Sequence, residues 1–474
     1  MKSFKRNLTI ATLALVALVC GAFGFAACGD DGKPTSALQY KDMGDYYEVS
    51  KLGITPAKNI YIPDTYNGKP VKSIGGGAFY RHVGITSVHI PDSIEAIGDG
   101  AFSKCESLMT ITIPASVTTM GWNVFNECDL LTIYCEAVTR PEGYSVRTTP
   151  EEEDYIEWNS SRPVVWDCKN NDVADDGNIY TIIDDVKYAL RDGNATVEKQ
   201  SHNLEGKIEI PKSITHNKNT YSVTAIGNNA FNDVRGITEI TLTDSITSIG
   251  DYSFSKTYGI KDELTIPDSV TSIGSYAFQF CSALRSMPRN AVSFGEGAFA
   301  WCGIKSATIP DGVTAIPDKM FETCHSLTSV VIPDSVISIG AAAFDGCSEL
   351  ASVTLGRGVT SIGGGAFDWC KELKSITLPD SITSIGGGAF SFCLGLTDIT
   401  LPEGVTSISE RTFWGCTALK SITIGKGVTD IGNSAFDECE ALDTVNYSGT
   451  EEDWGKITVG YGNDCLKNAT INFK

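Results

Sequence analysis

Histidine is nearly absent from this chain. His82, His89, His202, His216 and His325 are the five present in 474 residues, and none stands in H-E-x-x-H spacing, which excludes hydrolases that hold zinc between two imidazoles one helical turn apart. No G-x-S-x-G elbow occurs either, so the serine hydrolases built on that turn are excluded. The glycine triplets beginning at Gly75, Gly363 and Gly386 are each followed by Ala-Phe, and therefore lack the lysine and hydroxyl that a phosphate loop requires. Among 15 cysteines there is no C-x-x-C pair, which excludes the usual zinc arrangements. Positive charge is scarce as well: 37 Lys and Arg stand against 58 Asp and Glu, a net charge of -21. Such a chain repels nucleic acid and anionic headgroups. The expectation is a non-enzyme with no cofactor, no metal and no nucleic-acid partner.

What the chain does contain is one unit many times over. Residues 373–393 read L-K-S-I-T-L-P-D-S-I-T-S-I-G-G-G-A-F-S-F-C, and the signature phenylalanines Phe344, Phe367, Phe390, Phe413 and Phe436 follow one another at intervals of 23 residues. Phe79, Phe102 and Phe125 keep the same interval, and Phe231, Phe254, Phe278, Phe299 and Phe321 precede the regular series at 23, 24, 21, 22 and 23. A period of this length marks a stack of supersecondary units, within the range of leucine-rich repeats.

Each place in the unit has a physical reading. Ile376 and Leu378 alternate with Ser375 and Thr377 as a strand does with one face in a core. Pro379 and Asp380 turn the chain, Ile382 and Ile385 return to the core, and Gly386 to Gly388 permit a bend. Ala389 and Phe390 fill the corner. Ten of the cysteines lie three residues after a signature phenylalanine, while His82, Val234 and Thr257 occupy the same place elsewhere. A position open to histidine, valine and threonine holds no obligatory chemistry, so these cysteines read as small buried thiols. Many free thiols in an exported protein imply deep burial or an anaerobic habitat.

Export is written at the N-terminus. Lys2, Lys5 and Arg6 precede an apolar stretch from Leu8 to Val19 and small residues up to Ala27, the layout of a signal peptide. Phe25-Ala26-Ala27-Cys28 resembles a bacterial lipobox, with phenylalanine where leucine is usual; the alternative is an ordinary cut after Ala26. The lipobox reading makes residues 1–27 the signal peptide, Cys28 the site of lipid attachment, and 28–38 a tether. Residues 39–129 are then a cap plus a first repeat array, 130–177 an irregular cap and linker, 178–445 a cap plus a second array, and 446–474 a C-terminal cap. Caps are needed because a terminal unit otherwise exposes an apolar edge. Within the linker, the run at 150–154 is acidic, and Cys135 and Cys168 are candidates for a disulfide that sequence separation does not decide. Asp172, Asp176 and Gly177 imitate a calcium loop, but Ala174 and Ile183 stand where ligands belong, so an exposed linker is expected.

The consensus L-x-x-I-T-I-P-D-S-V-T-S-I-G-x-x-A-F-x-x-C resembles the BspA-type leucine-rich repeat proteins of bacterial and some protist surfaces, and Tyr447 to Trp454 is similar to a cap common among them. The resemblance implies a mostly β solenoid of parallel stacked strands on a cell surface, with a role in adhesion to host matrix or other cells. Outward strand positions are the ones free to meet a protein or glycan: His89, Thr112, Thr241, Thr265, Thr308, Val331, Thr354, Thr377, Thr400 and Thr423. An envelope scaffold without external ligand is the second reading, and a carbohydrate-active or proteolytic enzyme a distant third. Cys28→Ser abolishes metabolic labelling of the protein with radioactive fatty acid if Cys28 carries the anchor; retained label assigns the lipid elsewhere.

Overall fold

The computed structural model describes residues 34–144, 146–147, 156–159, 162–169, 171–261 and 263–473. The proposed signal peptide, Cys28 and the acidic run at 150–154 lie outside the described residues. The chain divides into two compact units between Tyr180 and Thr181.

In the first unit, Leu38–Asp42 pairs antiparallel with Tyr47–Leu52, which pairs in parallel with Lys69–Ile74. From there one-way stacking takes over. Ala96–Ile97, Thr119–Met120 and Gly143–Tyr144 follow in one parallel ladder, while Asn59–Tyr61, Ser87–His89, Thr110–Ile113, Thr132–Cys135 and Val164–Val165 form another. The segment after 130 thus lays further strands on the stack. Trp158, fully buried, closes the column of phenylalanines, with its ring 6.1 Å from Phe125.

The second unit repeats the plan at greater length. The antiparallel pair Val186–Arg191 and Asn194–Val197 leads into parallel Asn219–Ile226, then Ser248–Ile249, Ser272–Ile273 and Ser293–Phe294. That sheet ends there, and a separate parallel ladder of two-residue strands runs from Ala315–Ile316 through Ser338–Ile339 and Ser361–Ile362 to Ser384–Ile385. The other ladder holds Ser306–Thr308, Ser329–Val331 and Ser352–Thr354, then Asp398–Thr400, Ser421–Ile424, Thr444–Tyr447 and Thr470–Phe473. Helix is confined, among the described residues, to Glu451–Trp454 and Asp464–Asn468. Residues 374–378 form no strand, contrary to the reading of the unit, although Ile376 and Leu378 are buried and Thr377 is exposed as expected.

The core is a set of columns. From Phe231 to Phe436 ten phenylalanine rings stack with centroids 5.2 to 5.9 Å apart and planes within 20°. From Phe231 to Phe413 each signature N–H donates to a carbonyl of the next layer, as from Phe367 to the Ala389 carbonyl at 2.8 Å, and Phe436 N–H donates to the Asn463 side chain at 3.0 Å. Gly386 is obligatory because a Cβ there would sit 2.5 Å from the Gly364 nitrogen, and Gly388 adopts φ +64°.

The cysteines complete this arrangement. All ten in the repeat column are buried and free, and nine donate S–H to the carbonyl of the preceding layer's phenylalanine at 3.0 to 3.3 Å. The tenth, Cys281, differs: the carbonyl of Phe254 accepts instead from the Thr257 hydroxyl of its own layer at 2.7 Å, and that hydroxyl lies 3.6 Å from the Cys281 sulfur. Burial pushes the Cys324 thiol up to about 12, so it remains a protonated donor. Cys135 and Cys168 are free thiols also, and the loop between them is closed by a backbone bond from Cys168 N–H to the Cys135 carbonyl at 2.9 Å. The calcium-like loop is a turn: the Asp176 carboxylate accepts from Asn178 N–H at 3.0 Å and from the Tyr180 hydroxyl at 2.6 Å. Phe367→Ala removes a fully buried ring from the middle of the column and is expected to cost about 3–5 kcal/mol, measured by denaturant unfolding of the full exported chain.

Candidate functional site

Parallel pairing in register brings the same place of each unit to the same line on the surface. His89 stands beside Tyr61, Thr112 beside Tyr134, and Thr308, Val331 and Thr354 are consecutive partners. Thr400 and Thr423 continue through Asn446 and Asn472. His89, Thr241, Thr265, Thr308, Val331, Thr354, Thr377 and Thr400 are exposed, and Thr112 and Thr423 half-buried. Thr265 and Thr377 reach the surface from outside named strands. The threonines of the other ladder do different work: Thr247, Thr271, Thr360, Thr383 and Thr429 donate to the carbonyl of the preceding layer. No such bond ties Thr308, Thr354, Thr377 or Thr400, so their hydroxyls face solvent.

Two further surfaces were not read from the sequence. The first is an aromatic line two residues after the signature phenylalanine, where the backbone takes positive φ in layer after layer. Gly346 and Gly415 suit that conformation, yet Phe280, Trp301, Trp369 and Phe392 adopt it with φ of +61°, +60°, +59° and +50°. Bulky side chains there cost roughly 1–2 kcal/mol each. Stacking returns part of this: Trp369 lies 4.5 Å from Phe392, and Phe280 lies 5.2 Å from Trp301.

The second is an open groove of about 650 Å³ over the ladder that starts the second unit. Ser248, Ser272 and Ser293 line it, along with Glu198, Asn228 and Asp251. Its signal in the sequence is the Ser of Thr-Ser-Ile-Gly, a small outward residue recurring beside a glycine.

Acidic residues also form a column, one place after the signature phenylalanine. Burial, with Asp368 and Glu322 in the layers on either side, pushes Asp345 up to about 6. Burial raises Asp368 too, against the opposing Ser391 hydroxyl. Among the described residues no group of three or more side chains is arranged to hold a metal ion.

A parallel-stranded, mostly β solenoid presenting ladders of side chains is the architecture of leucine-rich repeat proteins. The profile of the BspA type leucine rich repeat region matches residues 53–144, 207–328 and 314–443 in six copies, well over half of the chain, and the protein belongs to that family. Proteins of this repeat type are typically non-enzymatic and serve protein interaction. Among solved structures, a leucine-rich repeat protein from Bacteroides ovatus matches with 24% identity and a TM-score of 0.53, over 93% of this chain and 99% of that one, which shows the fold. A leucine rich cell surface protein from Faecalibacterium prausnitzii matches with 24% identity and a TM-score of 0.35, over 90% of this chain and 97% of that one. No curated protein matches in sequence.

The folded state holds the Asp345 proton more tightly than an unfolded chain does. Stability contributed here falls as pH rises from the ordinary aspartate range through about 6, and the penalty is fully present above that. Asp345→Asn therefore raises the melting temperature at pH 7.5, and the gain over wild type vanishes at pH 4, as followed by calorimetry at both pH values.

Proposed function

We propose that this chain is an exported, surface-displayed interaction protein, anchored by a lipid on Cys28, that adheres to host matrix or neighbouring cells through the outward strand face of its solenoid. One observation carries the reading. Exposed hydroxyls at Thr308, Thr354, Thr377 and Thr400 recur along one line of the surface with no hydrogen bond to the protein, between inward neighbours such as Ala307, Ile376, Leu378 and Ile399 that are buried. A polymeric partner, protein or glycan, meets such a face at several layers at once, so weak contacts add. The leader-like N-terminus and the net charge of -21 agree with a soluble, self-repelling surface held outside the cell.

Two measurements test this. On intact cells, externally added protease cleaves the protein; complete protection would instead favour an internal envelope scaffold. The triple variant Thr354→Ala, Thr377→Ala, Thr400→Ala keeps its melting temperature and loses at least tenfold in binding to immobilised host matrix. Unchanged binding would exclude that face.

A further inference from the structure

The groove at the start of the second unit is open to solvent, and its polar groups are of a particular kind. Its ladder strands Asn219–Ile226, Ser248–Ile249, Ser272–Ile273 and Ser293–Phe294 pair with one another in parallel. Their backbone groups are therefore spent between layers, as in Gly250 N–H to Ile226 carbonyl and Gly274 N–H to Ile249 carbonyl, both 2.8 Å. From Asn219–Ile226 to Ser272–Ile273 a peptide cannot add itself as an extra strand, because each of these strands is paired on both sides, and the sheet ends at Ser293–Phe294. What is offered is side-chain hydroxyl. The side-chain hydroxyls of Ser248, Ser272 and Ser293 make no hydrogen bond to the protein among the described residues, whereas those of the threonines just before the first two, Thr247 and Thr271, are tied to backbone carbonyls.

The charged groups narrow the ligand further. Glu198 and Asp251 line the groove and no Lys or Arg does, so a sulfated, phosphorylated or carboxylated ligand is repelled. Asn228 and Asp251 are held in place: the Asn228 side-chain oxygen accepts from Asp251 N–H at 2.8 Å, and the Asp251 carboxylate accepts from Ser275 N–H at 2.7 Å. Fixed acceptors beside hydroxyls that both donate and accept suit a ligand rich in hydroxyl groups. Tyr252 and Tyr276, each following a lining residue, stack with centroids 5.3 Å apart, and Tyr252 is exposed. Their rings stand one residue along the chain from the lining residues Asp251 and Ser275, aromatic surface of the kind that packs against the C–H faces of a sugar. From Asn194–Val197 to Ser293–Phe294 the ladder spans five strands, roughly 19 Å at the usual strand spacing.

We infer that this groove is a binding site for an uncharged oligosaccharide lying across the layers, a ligand class and a location that deepen the interaction reading given above and rest on it. The test uses the full exported chain and purified neutral hexasaccharides of glucose, mannose and galactose, titrated by calorimetry, with a sulfated oligosaccharide and a random-coil peptide as further probes. At least one neutral hexasaccharide binds saturably. Ser248→Ala, Ser272→Ala, Ser293→Ala together, and Ser272→Leu alone, each weaken that binding at least tenfold with the melting temperature unchanged. The triple threonine variant binds the hexasaccharide as wild type does, so the groove stands or falls apart from the adhesive face. The inference is overturned if no neutral hexasaccharide binds, if only the sulfated sugar or the peptide binds, or if both serine variants bind like wild type.

Discussion

Each layer of this protein gives its backbone hydrogen bonds to the next layer, and nearly everything else follows from that. A strand whose N–H and C=O groups are satisfied by its neighbour requires the neighbour to have the same length and the same turns. Residues at the same place then fall into columns about one strand spacing apart. Phenylalanine stacks on phenylalanine because the layers coincide, and the thiol three residues on sits where the previous ring's carbonyl needs a donor. Threonine at 257 turns its hydroxyl to the carbonyl of its own layer's Phe254 instead. The layer-to-layer bond accounts for the regularity of the cysteines.

Much of this could be read in the sequence, since a period is a statement about columns. The spacing of Phe344, Phe367 and Phe390 contains the stack, and the alternation at 375–378 contains the exposure of Thr377. The strand at that point was legible in its burial pattern and not in its hydrogen bonds: Ile376 and Leu378 go inward whether or not the ladder is intact. Cys135 and Cys168 were left open by sequence and are settled by geometry as free thiols. Other features depend on how far one column stands from another, which a period does not record. The groove beside Ser272, the aromatic pairs at positive φ and the crowding of Asp345 by Asp368 and Glu322 all belong to that class.

The columns also divide labour between stability and recognition. Inward columns tolerate little: a glycine at 386 is fixed by the close approach of the layer before it. Outward columns carry the liabilities of the repeat, since a charge repeated in register meets its own kind one layer away, as Asp345 does. Interspersed Ser391 and Trp414 interrupt the acidic column before it lengthens. Surface chemistry is thus free to vary from layer to layer, while each variation is constrained by the two layers it touches.

Hydrogen bonds that run from layer to layer lie along the axis of the stack, and this has a mechanical consequence. Tension applied to the two ends of such a unit loads these bonds in series, so the weakest layer yields first and its neighbours stay folded. Length is released in steps of one repeat, and the remaining layers keep their columns intact.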